Sequence, residues 1–285
     1  MRRISWSMFV FAILVFAPGC SEGTQSSTAS PTESQPVGRV YALDPRPADF
    51  VEAVDNPYFP LIPGTKWEYE IRQGNSVVEK DTVEVLTEKR EVNGIQATVV
   101  RDMVTVGDQL VEDTYDWFAQ DKEGNVWYVG ETVDNYIAGV LVNHGGSWEW
   151  GVDGALPGII MWADPAAHLN EEYYQEYYPG RAEDKGQVLR VNESVTVPFG
   201  SFENVVQTYD FSTLESKAKE HKFYAPGIGL IKESDLNSGE EVVLVGFTSS
   251  TQCDQDKFLA ACLPQCGTPN PTGVHSTANP ARPSQ

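Results

Sequence analysis

Basic residues are scarce in this sequence: 20 Lys and Arg stand against 41 Asp and Glu, giving a formal net charge of −21 at pH 7. So acidic a chain repels phosphate backbones and anionic lipid surfaces, which argues against nucleic acid as a partner. Solubility is the plain reading of the charge. Calcium is the sharper one, but the Asp-x-Asp-x-Asp-Gly spacing of a calcium loop does not occur. Histidine is rarer still, at His144, His168, His221 and His275, scattered along the chain. No Gly-x-Ser-x-Gly elbow is present, so hydrolase-type catalysis lacks its usual mark. The balance favours a protein that is not an enzyme, and no cofactor is implied.

Long apolar runs are absent beyond the N-terminus. The one near it, Met8 to Ala17, follows Arg2 and Arg3; it is too short to cross a bilayer and suits the core of a secretory signal. It ends in Ala17-Pro18-Gly19-Cys20, which resembles the lipobox of bacterial lipoproteins, where the cysteine is acylated and becomes the new N-terminus. Residues 1–19 are thus expected to be a signal peptide, with Cys20 the site of lipid attachment; an ordinary signal peptide with a chance cysteine is the alternative. Residues 20–40 are Ser/Thr-rich without periodicity, too poor in apolar surface to fold, and read as a lipid-anchored flexible tether. The expected location is the cell envelope, anchored to a membrane at the outer face or in the periplasm.

Cysteine is confined to Cys20 and a late cluster, Cys253, Cys262 and Cys266. An exported protein should oxidise two of the three and leave one thiol over. Zinc would need a fourth ligand, and only His275 is near in sequence. Residues 251–266 form this cysteine-containing segment, and residues 267–285, rich in Pro, Ser and Thr, read as a disordered tail. Between the tether and the cysteines, residues 41–250 are expected to form a single β-rich domain, consistent with 41% hydrophobic and 11% aromatic residues overall.

Within that domain the dominant period is two. Lys66 to Arg72 places Trp67, Tyr69 and Ile71 on one face; Gln187 to Val197 places Leu189, Val191, Val195 and Val197 together. Eight further strand-like runs start at Val77, Ile95, Asp108, Val126, Val205, Glu220, Gly229 and Glu240. Asn93-Gly94, Glu123-Gly-Asn125, Pro198-Phe-Gly200 and similar turns separate them. The fold class predicted is mainly β: a large curved antiparallel sheet, an open or partial barrel, with one covering helix. That helix is placed over Asp164 to Tyr178, with Asp164 as cap, Pro165 in the first turn and Pro179-Gly180 as the stop. The aromatic and acidic stretch Asp116 to Glu131 reads as a hairpin turning at Asp121 to Asn125, its acids mostly around the turn and Trp117, Trp127 and Tyr128 on the arms.

Two candidate sites carry chemistry. His168, Glu172 and Glu176 recur at helical spacing and could hold a divalent metal, although a solvated acidic face explains them more simply. Trp148, Trp150, Trp162, Tyr173, Tyr174, Tyr177 and Tyr178 could stack sugar rings, with Glu149, Asp153 or Asp164 as paired carboxylates of a glycosidase; core aromatics are the plainer account.

Three segments, Asn56 to Tyr69, Val195 to Val205 and Lys222 to Glu233, resemble an uncharacterised bacterial envelope lipoprotein family with V-P-x-G-x-F and Y-A-P-G-V-G-L-V-K signatures. That family is distantly similar to the half-barrel lipoprotein-localisation and lipid-carrier folds, in which a curved sheet wraps an apolar cavity under a helical lid. The resemblance implies a fold and supplies no functional residues, so the ligand-binding residues stay unassigned. The expected function is a lipid-anchored envelope protein, non-enzymatic, that binds a lipid or another apolar or amphiphilic ligand. The alternatives are a carbohydrate-active surface enzyme and a structural or interaction module without a small ligand.

Overall fold

The computed structural model describes Tyr41 and residues 43–249; the expected signal peptide, Cys20, the tether, the cysteine-containing segment and the tail lie outside the described residues. The strands in chain order are β1 (Phe50–Val51), β2 (Lys66–Gln73), β3 (Ser76–Val92), β4 (Ile95–Val106), β5 (Gln109–Asp121), β6 (Val126–Ile137), β7 (Val140–Asn143) and β8 (Trp148–Glu149). They continue with β9 (Leu156–Met161), β10 (Glu172–Tyr174), β11 (Glu176–Tyr177), β12 (Asp184–Val197), β13 (Gly200–Ser212), β14 (Lys219–Ala225), β15 (Gly229–Asp235) and β16 (Glu240–Thr248). The period-two alternation does what it should: β2 buries Trp67, Tyr69 and Ile71 and turns the residues between them outward. Between β3 and β4, Asn93 and Gly94 adopt φ of 46° and 82°, the backbone of a tight hairpin turn that an Asn-Gly pair tolerates.

The strands form one antiparallel sheet in the order β10-β12-β13-β14-β15-β16-β2-β3-β4-β5-β6-β9-β11. Its two ends are consecutive in sequence. β10 pairs with β12, β11 pairs with β9, and the single residue Gln175 links them, its N–H donating to the Asp184 carbonyl at 2.8 Å. The sheet therefore curls until one bent strand spans both edges, producing a nearly closed barrel. At the crossing the backbones all but touch. A Cβ on Gly158 of β9 would stand 2.3 Å from the carbonyl carbon of Gln175.

This closing strand occupies the place expected of the helix. Over Asp164 to Tyr178 the structure shows only one 3-10 turn, Pro165–His168, followed by β10 and β11. The physical reason is that β9 and β12 would otherwise expose rows of unpaired N–H and C=O groups. A Tyr-rich segment fits a pleated surface, and ladder pairing at both edges outweighs local helical spacing. No helix covers the sheet among the described residues; the sheet covers itself.

One end of the interior is filled with large side chains. Phe59 packs against Phe118 (ring centroids 5.2 Å apart), and Phe118 stacks on Tyr128 at 5.0 Å. Trp67 Nε1 donates to the Ile228 carbonyl and the Tyr69 hydroxyl to that of Leu230, both at 2.8 Å. The three segments carrying the family resemblance meet at this end. The Gly227 N–H donates to the Pro57 carbonyl (2.6 Å) and that of Phe199 to Leu244 (3.1 Å), so these motifs plug and brace the barrel.

The Asp116 to Glu131 hairpin forms as β5 and β6. Asp121 organises its turn: Oδ1 accepts from the Glu123 and Asn125 N–H groups, and Oδ2 from Asn125 Nδ2 and Trp127 Nε1, each at 2.9 Å. Trp127 packs on Phe50 of β1, while Arg90 lies 4.0 Å over the Trp117 ring. The hairpin's acids are not all at the turn, however. Asp116 and Glu131 face each other across the ladder and are both buried.

Candidate functional site

Beyond the aromatic plug the inward positions turn acidic. Cross-strand partners in an antiparallel ladder share a face, so the register places Asp81 between Tyr69 and Val104, Asp102 between Val83 and Thr114, and Asp116 between Val100 and Glu131. On the opposite wall Asp210 faces Glu220 and Lys222 faces Glu233. Asp81, Asp102, Asp116, Glu131, Glu176, Asp184 and Asp210 are each 2% exposed or less. Bare carboxylates cannot be buried at such density without countercharge or protons.

Part of the array has its countercharge. Lys222 Nζ lies 3.6 Å from Asp210 Oδ2, 3.6 Å from Glu233 Oε2 and 3.9 Å from Glu220 Oε2. Burial on its own would lower the Lys222 pKa, but the facing carboxylates of Glu233, Asp210 and Glu220 raise it well above the ordinary value, so the ammonium stays charged. Gln175 Nε2 adds a bond to Asp210 Oδ2 at 3.0 Å, tying the closing strand to this cage. Lys222 is the only basic side chain buried among the described residues.

Several of the other acids are shifted toward the protonated form instead. Burial pushes Asp81 up to about 7, with the charge of Glu112 adding to the rise. Asp102 goes well above the carboxylate range through burial and the neighbouring Asp81. Burial likewise lifts Asp116 to about 7, although the Tyr128 hydroxyl donates to its Oδ1 at 2.6 Å and opposes the shift. A second pair, Glu176 and Asp184, lies on the far side. Glu176 is raised well above its ordinary value by burial and by the charge of Asp184; Asp184 is lifted to about 8 by burial, with Ser212 and Glu176 opposing.

This last pair lies beside an opening in the wall. β6 pairs with β9 only through Val126, Trp127 and Tyr128; further along, β8 covers Gly130 and Glu131, and the far half of β6 stands apart from β11 and β12. In that seam is a pocket of about 430 Å³, within the size range of small-molecule sites. Its walls come from His144 to Trp148 on one side and from Tyr178, Gly180 to Ala182, Leu214 and Glu215 on the other. Tyr178 and Ala182 bridge antiparallel, which puts Glu176 and Asp184 opposite each other two residues further in, on the same face. Trp148 is 5% exposed and its Nε1–H approaches Glu176, while Glu176 and Asp184 neighbour each other and Ser212 lies beside Asp184. Behind Gly146, Glu131 Oε1 lies 3.9 Å from the position a Cβ on that glycine would take.

The sequence-level candidates are scattered by the fold. His168 pairs with Glu171 (3.1 Å) and stacks on Trp162, Glu172 lies 3.6 Å from Lys185, and Glu176 is buried; no described residues group to hold a metal. Glu149 is held by Arg90 at 2.6 Å, and Asp153 and Asp164 are exposed. Trp148, Trp150 and Tyr173 are core rings. Of the aromatics singled out, Trp148 and Tyr178 line the pocket. Sequence reading passed over the inward acids, whose signal was available: Asp81 shares its parity with Val83 and Val85, and Asp102 with Val100 and Val104.

No family model matches the chain, and no curated protein matches it. Among solved structures it is similar to a candidate exported protein with a YmcC-like fold from Bacteroides fragilis NCTC 9343. Identity is 13% with a TM-score of 0.38, over 67% of this chain and 99% of that one. It is similar also to a candidate lipoprotein from Parabacteroides distasonis ATCC 8503, at 15% identity and a TM-score of 0.33, over 68% of this chain and 99% of that one. At such scores the likenesses carry no argument; the nearly closed antiparallel barrel rests on the ladder of this chain itself.

Proposed function

We propose that this protein is exported, anchored at the cell envelope through an acylated Cys20, and binds an amphiphilic ligand in the seam pocket without transforming it. The leader Met8 to Ala17 and the Ala-Pro-Gly-Cys20 junction support the anchor. The observation that carries the binding role is the pocket of about 430 Å³, whose walls combine Trp148, Tyr178 and Leu214 with His144, Arg181 and Glu215. Such a lining has an apolar part and a polar end, and suits a ligand with both. A wholly apolar ligand inside the sheet fits less well: aromatic rings fill one end of the interior and carboxyl groups line the rest. Native mass spectrometry of the full chain purified from a bacterial envelope, followed by organic extraction, tests the reading. A stoichiometric amphiphile is the expected result. A clean apo mass would overturn it in favour of an interaction module, and a hydrocarbon-like passenger would overturn the amphiphile.

A further inference from the structure

We infer that one end of the barrel docks on a lipid bilayer, with the β6–β7 hairpin tip, Asn135 to Asn143, entering the interfacial region of the membrane that holds the anchor. This rests on the reading of the chain as anchored at the envelope and does not depend on what the seam pocket binds.

Antiparallel neighbours alternate in direction, so the β2–β3, β4–β5, β6–β7, β13–β14 and β15–β16 connections all turn at the same end of the sheet. Their loops hold one another: Gln73 Nε2 donates to the Ser238 carbonyl (3.1 Å) and the Leu236 N–H to that of Lys219 (2.9 Å). Eight of the twelve large apolar side chains exposed among the described residues stand at this end. Four of them, Ile137, Val140, Leu141 and Val142, are on the β6–β7 hairpin, and Leu214 and Leu236 are on two of the other loops. Apolar surface gathered at one end in this way marks a contact with something apolar.

The hairpin tip says what that is, because it is bare on both faces. The register puts Ile137 with Val140 on one face and Tyr136 with Leu141 on the other, Val142 is the extra residue of a bulge, and all four residues of β7 are exposed. Ile137 and Val140 reach 56% and 64% exposure. A flat protein partner covers one face of such a ribbon, whereas a fluid interface surrounds both. No charged side chain occurs from Asn135 to Asn143, in a chain of which 21% of residues are charged, and a net charge of −21 is repelled by anionic lipid, so the surface is a zwitterionic one. β7 pairs only with β6 among the described residues, and the polar groups of its outer edge need water, so the tip stops among the head groups short of the hydrocarbon core. The anchor is within reach: the twenty residues between Cys20 and Tyr41 cover at most about 70 Å. Tyr41 stacks on Tyr177 (5.5 Å), one residue from Tyr178 in the seam-pocket wall, so the chain from the anchor joins the domain beside the seam. The pocket lining begins at His144, directly after β7, and includes Leu214. Docking at this end therefore brings the pocket and the bilayer together.

Leu141→Trp in the full chain purified from a bacterial envelope, reconstituted into phosphatidylcholine vesicles with and without brominated acyl chains, tests this. Phe199→Trp, an exposed apolar site in the β12–β13 turn at the opposite end, is the control, and thermal melting of each variant checks that the barrel persists. The expected result is added emission from Leu141→Trp that shifts to the blue on vesicles and is quenched by bromine, with neither effect in Phe199→Trp. Ile137→Ser together with Val140→Ser in the Leu141→Trp chain should lower the ratio of inserted to free tips about ten- to a hundredfold, the loss expected when two half-exposed side chains no longer gain by leaving water. Phosphatidylglycerol mixed into the vesicles should lessen the quenching at low salt. Leu141→Trp left unquenched, or quenched no more than Phe199→Trp, would overturn the docking, and quenching that grows with phosphatidylglycerol would overturn the zwitterionic surface. A blue shift that follows protein concentration and ignores vesicles would assign the tip to a second copy of the chain and overturn the bilayer. The intact mass of the same preparation reports the acyl chains on Cys20; an unacylated mass overturns the anchor and leaves the quenching to decide the tip.

Discussion

Raising the pH from 5 to 8 should destabilise this protein, and the buried carboxyls set by how much. An unfolded Asp titrates near 3.9, whereas burial lifts Asp81 and Asp116 to about 7 and Asp184 to about 8. Because these folded-state values are raised, the native protein binds more protons than the unfolded chain from about pH 4 to pH 8. The stability they contribute is complete below the unfolded pKa and is lost as pH climbs through the folded ones. Each proton retained by the native state gives a slope of about −1.4 kcal/mol per pH unit. These three acids alone would give roughly −4 kcal/mol per unit, lessened where Asp81 and Asp102 compete for protons. In a domain of this size that is a fall of about 3–5 °C in Tm per pH unit for each retained proton.

The assay is thermal unfolding by circular dichroism at unit steps of pH. The net charge of −21 also becomes more repulsive as pH rises, so the series belongs in about 0.5 M salt, where a Debye length near 4 Å screens the surface but not the interior. Asp184→Asn supplies the internal control: it removes one titrating group and should flatten the slope by about one proton. A Tm that holds level or rises from pH 5 to pH 8 in high salt would refute the protonated interior.

Three other outcomes follow from the geometry. Lys222→Met strips the ammonium from Asp210, Glu220 and Glu233 and should cost about 3–5 kcal/mol in urea unfolding, with Asp210→Asn in the same chain recovering part of it because one stranded charge goes. Gly158→Ala puts a methyl 2.3 Å from the Gln175 carbonyl carbon, so hydrogen exchange should accelerate at β9, β10 and β11 while β2 to β5 keep their protection. Asp121→Ala leaves two turn N–H groups and the Trp127 indole without their acceptor, at about 2–4 kcal/mol in the same assay; Asp121→Asn, which retains one acceptor oxygen, should lose less.

How much of this was legible follows from how local each cause is. Period-two patterns fix which face of a strand is apolar without reference to the rest of the chain, so β2 to β6 and β12 to β16 fall where alternation put them. Parity carries only as far as the pairing is regular. In β12 register shifts between Val188 and Val195 change which residues face inward. Val188, of the opposite parity to Leu189, is fully buried, while Leu189, grouped with the apolar face, is half-buried. The short strands β7 to β11 had no comparable signal, since each is held by a neighbour already in place.

The sequence by itself determined the acidic balance, the long antiparallel strands and their turns, because those depend on composition and on residues one to four apart. Only the tertiary structure decided that Glu172 to Tyr177 closes a barrel instead of forming a helix, since that outcome depends on two sheet edges far away in sequence. It alone decided, too, that the excess acid is partly interior. An Asp at an inward parity is one residue in an alternating run; that Asp81, Asp102, Asp116, Glu176, Asp184 and Asp210 share one enclosed space follows from curvature, and curvature is a property of the whole sheet.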